Sequence, residues 1–273
     1  MEGTRKVAIV TGGASGIGKE ICKELMAQDV FVIIADINEK NGLILEAELN
    51  HEFKTSRFVR LDVTNYENVE NVIKGIYREF GRLDYLFNNA GIAMYGEMYD
   101  VTLEDWKEIM DINLWGVIYG TEIGYKIMKE QAFGHIVNTS SAAGLGPSPL
   151  SSAYSTTKHA VVGLTTSLHY EGEEFCIKVS TLCPTFVDTP IFKEARAIKI
   201  DKSVMTKQLE KQKLMSPQKL AKMAIKGVHK NKPIICPMPM RKTMDVIFAI
   251  FPPLHHSLMR LVCKVGRKAR ISN

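Results

Sequence analysis

A short apolar run that empties directly into glycine restricts this chain more than any other feature. Val7-Ala8-Ile9-Val10 leads into Thr11-Gly12-Gly13-Ala14-Ser15-Gly16-Ile17-Gly18, and a helical pattern continues to about Gln28. A buried strand feeding a helix through such a turn predicts a phosphate-binding βα unit. Gly12 permits the tight turn, Gly16 leaves room where a Cβ would block a phosphate, and Gly18 lets helix and strand pack closely. With Ser15 and Ile17 they face the helix N-terminus, whose free N–H groups and positive dipole end suit a pyrophosphate. The next strand, VFVIIAD, closes on Asp36 followed by Ile37. A carboxylate there accepts hydrogen bonds from ribose hydroxyls and repels a 2′-phosphate. Its neighbours Ala35 and Ile37 bring no cation, so the pattern predicts NAD as cofactor; the alternative is a helix N-cap or strand-end turn role for Asp36, which leaves the cofactor open.

Short apolar runs then alternate with helical segments, the pattern of a parallel sheet. Further strands are expected at Val30–Ala35, Arg57–Leu61, Leu83–Phe87, Gly134–Asn138 and Lys178–Leu182, with a short seventh at Ile234–Cys236. A long helix is expected from about Ser152 to Phe175. The expected fold is α/β: one doubly wound Rossmann-type domain over 1–240, a seven-stranded parallel sheet flanked by helices. Residues 241–273 form a basic, apolar, helical C-terminal extension.

Charge is divided unevenly. Residues 1–192 hold 16 Lys+Arg against 26 Asp+Glu, whereas residues 193–273 hold 19 against 4. A basic last third on an acidic body points to an anionic partner, or to a solvated or subunit-packed lysine-rich face. Without clustered aromatics or a recognised motif it does not predict nucleic-acid binding. Five scattered cysteines without a CxxC pair predict free thiols, and no histidine has metal-ligand spacing, so no metal is expected. Nothing resembling a signal peptide precedes the first strand, which predicts a cytoplasmic protein.

Chance supplies about one Tyr-x-x-x-Lys in a chain of this composition, and this chain has two, Tyr125/Lys129 and Tyr154/Lys158. The second is distinguished by Ser141, 13 residues upstream at the end of the strand HIVNTSS. Carbonyl reduction needs a proton donor for the developing alkoxide, and alcohol oxidation the reverse. A tyrosine of pKa about 10 becomes a usable base when a cation lies close by. Lys158 is on the same helix face, one turn on.

With its TGxxxGxG turn, Asn88-Asn89-Ala90-Gly91 and Asp62-Val63, the sequence resembles the short-chain dehydrogenase/reductase family over roughly residues 5–190. The resemblance implies Asn113, Ser141, Tyr154 and Lys158 as catalytic residues, Ser141 and Tyr154 also touching substrate. Ser141, rather than its neighbour Ser140, takes the family's serine position. It further implies that Lys158 holds the nicotinamide ribose, that Asn113 anchors a proton-relaying water, and that Asp62 and Val63 contact the adenine. Asn89, Ala90, Gly91, Tyr154, Pro184, Val187 and Thr189 complete the implied cofactor contacts. One departure stands out: Thr185 follows Pro184 where the family has glycine, and a β-branched residue resists positive φ.

Substrate loops in that family follow the fourth, fifth and sixth strands. Here they carry Met94, Tyr95, Leu145, Leu150, Phe186, Ile191, Phe192, Met205 and Met215, with a lid expected over about 186–215. Methionines and aromatics suit a lipophilic alcohol or ketone of steroid, prostanoid-like, hydroxyacyl or terpenoid type. Alternatively, several of them simply pack a helix spanning about 190–212. The expected activity is NAD-dependent interconversion of a secondary alcohol and a ketone; the alternative is a non-catalytic dinucleotide sensor. A homodimer or homotetramer is expected. The apolar run Val246–Phe251 is too short to cross a bilayer; flanked by Arg260, Lys264, Arg267, Lys268 and Arg270, it resembles an interfacial anchor on an anionic membrane. Packing over the substrate mouth or between subunits is the alternative.

Overall fold

A computed structural model describes residues 5–52, 55–204, 214–238 and 241–271. Seven parallel strands form one sheet: β1 (Val7–Thr11), β2 (Phe31–Asp36), β3 (Ser56–Arg60), β4 (Tyr85–Asn88), β6 (Gly134–Thr139), β7 (Ile177–Leu182) and β9 (Ile234–Ile235). Their order is β3-β2-β1-β4-β6-β7-β9, so the chain reverses its direction of travel across the sheet at β1 and β4. At such a switch point the loops beyond the strand C-termini part and leave a crevice. The seven strands match the runs expected from sequence to within a residue or two, as alternation of buried strands with helices requires.

Both faces of the sheet are covered, so the strands read as nearly continuous apolar runs. Alternate residues point to opposite layers. Ala8, Val10, Val32 and Ile34 meet α1 (Gly16–Met26), α2 (Glu39–Glu52) and α8 (Pro217–His229), whereas Val7, Ile9, Ile33 and Ala35 face α3 (Tyr66–Phe80) and α5 (Gly116–Gln131). Local signals end these helices where expected. Asn65 caps α3 by accepting a hydrogen bond from Asn68 N, and Gly81 closes it in the left-handed region at φ 69°. Thr102 and Asp105 form a capping box for α4 (Leu103–Met110). The long α6 (Ser152–Glu171) stops short of Phe175, and Gly172–Phe175 tightens into a 3-10 turn.

Two features depart from the sequence reading. Among the described residues beyond β7, the helix expected over about 190–212 is not continuous. A four-residue α7 (Ile191–Glu194) gives way to β8 (Arg196–Ala197), which pairs in parallel with β5 (Met94–Tyr95) as a separate two-stranded sheet. Arg196 is drawn there by Asp105 at 2.6 Å and by Glu108, anchors that no local periodicity reveals. Met205 and the rest of 205–213 lie outside the described residues. The extension is helical, as expected: α9 (Arg241–Ile250) and α10 (Pro252–Gly266). No single helix among the described residues is long and apolar enough to cross a membrane. Thr243–Ile250 and Pro252–Ala269 reach that length only together, and they are bent by 107°.

Gly116, Gly120 and Gly124 line one face of α5 and let it approach the sheet closely. A Cβ on Gly116 would come within 2.9 Å of Val63 Cβ, and one on Gly120 would collide with the Asn88 side chain. Gly120→Ala therefore sets a gain in helix propensity of about 1 kcal/mol against overpacking of about 1–3 kcal/mol. Because Asn88 is buried and hydrogen-bonded to Thr121 and Asn138, overpacking should win. Denaturant titration should show a lower unfolding midpoint for Gly120→Ala, whereas Gly163→Ala, with nothing within 4 Å of its Cβ, should not lower it.

Candidate active site

The glycine turn adopts the shape its residues allow. Gly12 and Gly16 take φ of 62° and 51°. A Cβ on Gly18 would strike the Gly12 carbonyl, and one on Gly12 would lie 2.8 Å from Ala90 Cα. Ser15, exposed at the N-cap of α1, makes no side-chain capping bond. The helix end thus keeps its positive character towards the crevice, with no Cβ at Gly16 in the way. That cradle fits the pyrophosphate of a dinucleotide. Thr189 closes over it: a Cβ on Gly16 would lie 3.4 Å from Thr189 Cβ.

Thr11 clasps this turn to the end of β4. Its hydroxyl accepts from Asn89 N (2.9 Å) and Ala90 N (3.0 Å), and Asn89 Nδ2 donates to Thr11 O at 3.1 Å. Asp36 holds the turn from the other side, accepting from Ala14 N (3.0 Å) and Asn38 N (2.9 Å). These bonds give Asp36 the strand-end turn role. The register also pairs Asp36 with Arg60, a cation the neighbouring sequence of Asp36 does not show. Ile37 is exposed beside them. Asp62 accepts from Thr64 N and Oγ1 at 2.9 and 2.7 Å, which shapes the Asp62-Val63 loop.

Deeper in, the structure brings together the four side chains singled out from sequence. Asn113 is fully buried in a π-helical turn (Asp111–Trp115) between α4 and α5, accepting from Ile92 N at 2.8 Å and donating to Ile92 O at 2.9 Å. Its Nδ2 also donates to Thr157 Oγ1 at 3.5 Å. Gly91 is the narrow point, since a Cβ there would lie 3.0 Å from Asn113 Oδ1 and 3.4 Å from Lys158 Nζ. Lys158 is 3% exposed, donates to Thr139 O at 3.0 Å, and sits 5.6 Å from the centre of the Tyr154 ring. Ser140 is buried and spends its hydroxyl on Lys158 O at 2.7 Å, whereas Ser141 accepts from Ala143 N and lies close enough to the Tyr154 phenol to favour its ionised form.

The electrostatics differ from the expectation that Lys158 lowers the Tyr154 pKa. Burial pushes the Tyr154 phenol up, only partly offset by Ser141, while burial pushes Lys158 down to about 8. Desolvation outweighs the attraction because the ammonium rests against the Thr139 carbonyl instead of the phenol oxygen. Tyr95 lies near enough to feel Tyr154, and burial raises its pKa as well. Buried Cys183 sits behind the pair with its pKa pushed up to about 11 by desolvation. Tyr95 belongs to the expected substrate loops, whereas only the three-dimensional packing reveals Cys183.

Loops from both sides surround this centre. Pro184 O accepts from Ala142 N at 2.8 Å. Val187 is buried and bridged to Met215. Thr185 has no positive φ, so its replacement of glycine brings no backbone strain. Phe186, exposed, and Phe192, half-buried, place their rings 6.1 Å apart. Leu145 and Leu150 are half-buried, Leu150 at φ 62°. Met94 is 1% exposed and packs with Ile109 and Ala153 beneath Tyr154, so it is a floor residue. The other Tyr-x-x-x-Lys pair lies on α5, with Tyr125 and Lys129 both against Phe175.

The sequence profile described as short chain dehydrogenase matches residues 6–199. A 3-alpha-(or 20-beta)-hydroxysteroid dehydrogenase of Mycobacterium tuberculosis is 38% identical over 186 residues, covering 68% of this chain and 70% of its own. An uncharacterized oxidoreductase of Staphylococcus epidermidis is 32% identical over 186 residues, covering 68% and 80%. Among solved structures, a short chain dehydrogenase/reductase from Burkholderia phymatum in complex with NAD superposes with a TM-score of 0.81 at 27% identity, covering 96% of each chain. ElxO with NADP bound superposes at 0.74 and 28% identity, covering 85% of this chain and 96% of that one.

The Lys158 shift gives a sign that can be checked. Between pH about 8 and 10.5 the unfolded chain holds a proton on this lysine that the folded chain lacks, so folding stability rises with pH across that window. The difference in unfolding free energy between the native protein and Lys158→Met should therefore move in favour of the native protein as pH rises from 8 to 10.5, measured by urea titration. A pH-independent difference would contradict it.

Proposed function

Because this chain belongs to the short-chain dehydrogenase family, we propose that it is an NAD-dependent oxidoreductase that interconverts a secondary alcohol and its ketone on a lipophilic substrate. The reading rests on the convergence of Ser141, Tyr154 and Lys158 behind the glycine cradle at the switch point of the sheet. Residues 1–240 form the catalytic unit and 241–273 an appendage to it.

The dinucleotide supplies or receives the hydride, and the chain supplies position and protons. Tyr154 donates its phenolic proton to the carbonyl oxygen during reduction and takes it back during oxidation. A phenol raised by burial stays protonated at neutral pH, which readies this site for reduction. Ser141 orients the substrate oxygen. Lys158 stays cationic below its pKa of about 8 and favours the phenolate as it forms. Asn113 fixes Ile92, and with it the loop whose Gly91 abuts Lys158. Phe186, Phe192, Leu145 and Leu150 give the substrate side its apolar character. Hydroxysteroids are the first class to screen, given the activity in the name of the mycobacterial relative.

Tyr154→Phe should lower turnover by at least about 10²–10⁴-fold while NADH binding, followed by fluorescence, stays near native. Undiminished turnover would overturn the mechanism, and a native protein inactive across a broad panel of hydroxy lipids would favour the sensor reading. For the cofactor, kcat/KM with NAD⁺ should exceed that with NADP⁺, and Asp36→Ala should narrow the gap. A native preference for NADP⁺ that Arg60→Ser abolishes would instead assign the ribose end to Arg60.

A further inference from the structure

The match to the short-chain dehydrogenase profile ends at residue 199, and the C-terminal segment builds a surface of its own. At its far end this segment is fastened to the body. Arg267 makes a two-pronged ion pair with Glu97 (2.6 and 2.9 Å), Asp201 N donates to Ala269 O (2.7 Å), and Ile271 N donates to Lys199 O (3.0 Å). Gly266 presses so closely on Leu150 that a Cβ there would collide with it. At its near end Arg241 lies close enough to favour the Cys183 thiolate. The segment thus reaches from the end of β7 to Leu150, four residues before Tyr154.

Between those two ends the helices are amphipathic in an unusual sense. On α10 the half-buried positions are His255, Met259, Cys263 and Gly266, and no residue of the helix is buried. Leu254, Leu258, Leu261 and Val265, spaced i, i+4, i+7, i+11, form a separate stripe open to solvent, at 37–56% exposure. Ile250 and Phe251 carry it across the bend at 64% and 60% exposure. Arg260 and Lys264, one turn apart, border the stripe. Residues 241–271 hold seven Lys+Arg and one acid, Asp245. A contiguous apolar face of this kind on a water-facing helix marks a docking site. A second copy docking symmetrically would bring its own basic rim against this one. A bilayer with anionic headgroups offers apolar depth and the opposite charge together.

We propose that α9 and α10 form an interfacial plate that docks flat on an anionic lipid bilayer, with Ile250, Phe251, Leu254, Leu258, Leu261 and Val265 seated below the headgroups. Because the plate is fastened at Leu150 and Glu97, docking sets the substrate side of the crevice at the membrane surface. That consequence rests on the oxidoreductase reading; the docking itself does not.

Flotation of the full chain tests it, using vesicles of phosphatidylcholine with phosphatidylglycerol and vesicles of phosphatidylcholine alone. The native protein should float with the anionic vesicles at least about tenfold more than with the neutral ones, and added salt should weaken the difference. Leu258→Glu with Leu261→Glu, at exposed positions, should abolish flotation while leaving NADH binding intact. Arg260→Glu with Lys264→Glu should lower it about tenfold. Tyr154→Phe should float like the native protein, so failed catalysis and failed docking are separable. Three results would overturn the proposal. The native protein could stay unbound to both vesicle types, the double leucine variant could float equally well, or light scattering could show a dimer that this variant splits while vesicles bind neither form.

Discussion

The Thr11 hydroxyl stands at the junction on which the rest of the site is hung. It receives two main-chain N–H groups from the end of β4 while its own carbonyl receives the Asn89 amide. β1 and β4 are neighbours in space and far apart in sequence, so this clasp fixes the glycine turn relative to Gly91 and, through it, to Asn113 and Lys158. Asp36 repeats the arrangement from β2 through Ala14 N. The turn is therefore suspended between two strands, and its glycines are required because each approach is closer than a Cβ permits.

Behind the turn, desolvation governs the charged groups. Lys158 and Tyr154 both lose more from leaving water than they gain from one another, and each is driven towards its neutral form. A site built in this way responds strongly to any charge brought into it, because little water remains to screen that charge. Sequence spacing alone puts the two side chains on one helical face; how deeply that face is sunk decides the direction of both shifts.

The seven sheet strands were legible because buried parallel strands are continuous apolar runs between glycines and polar turns. The positions of Ser141, Tyr154 and Lys158 were legible for the same reason, being tied to strand ends and to one helix. What stayed hidden is held by partners distant in sequence. The two-residue strands β5 and β8 are too short to carry a period, and Arg196 is fixed by Asp105 and Glu108, some ninety residues earlier. Arg60 faces Asp36 only through sheet register. The fastening of the basic tail by Glu97 and Leu150 could not be read from the tail's own composition.

The π-helical turn at Asp111–Trp115 has a consequence for how this rod of helix tolerates change. Gly116 N reaches back five residues to Asp111 O, so the stretch from Leu103 to Gln131 holds one residue more than an unbroken α-helix of its rise. One residue is about 100° of rotation. The buried face of α4 and the glycine face of α5 are thus set out of phase by that angle, like two throws of a crankshaft. Losing a single residue here would act as a twist more than a shortening. It would swing Gly116, Gly120 and Gly124 off the sheet and turn side chains into the space that only hydrogen atoms now occupy.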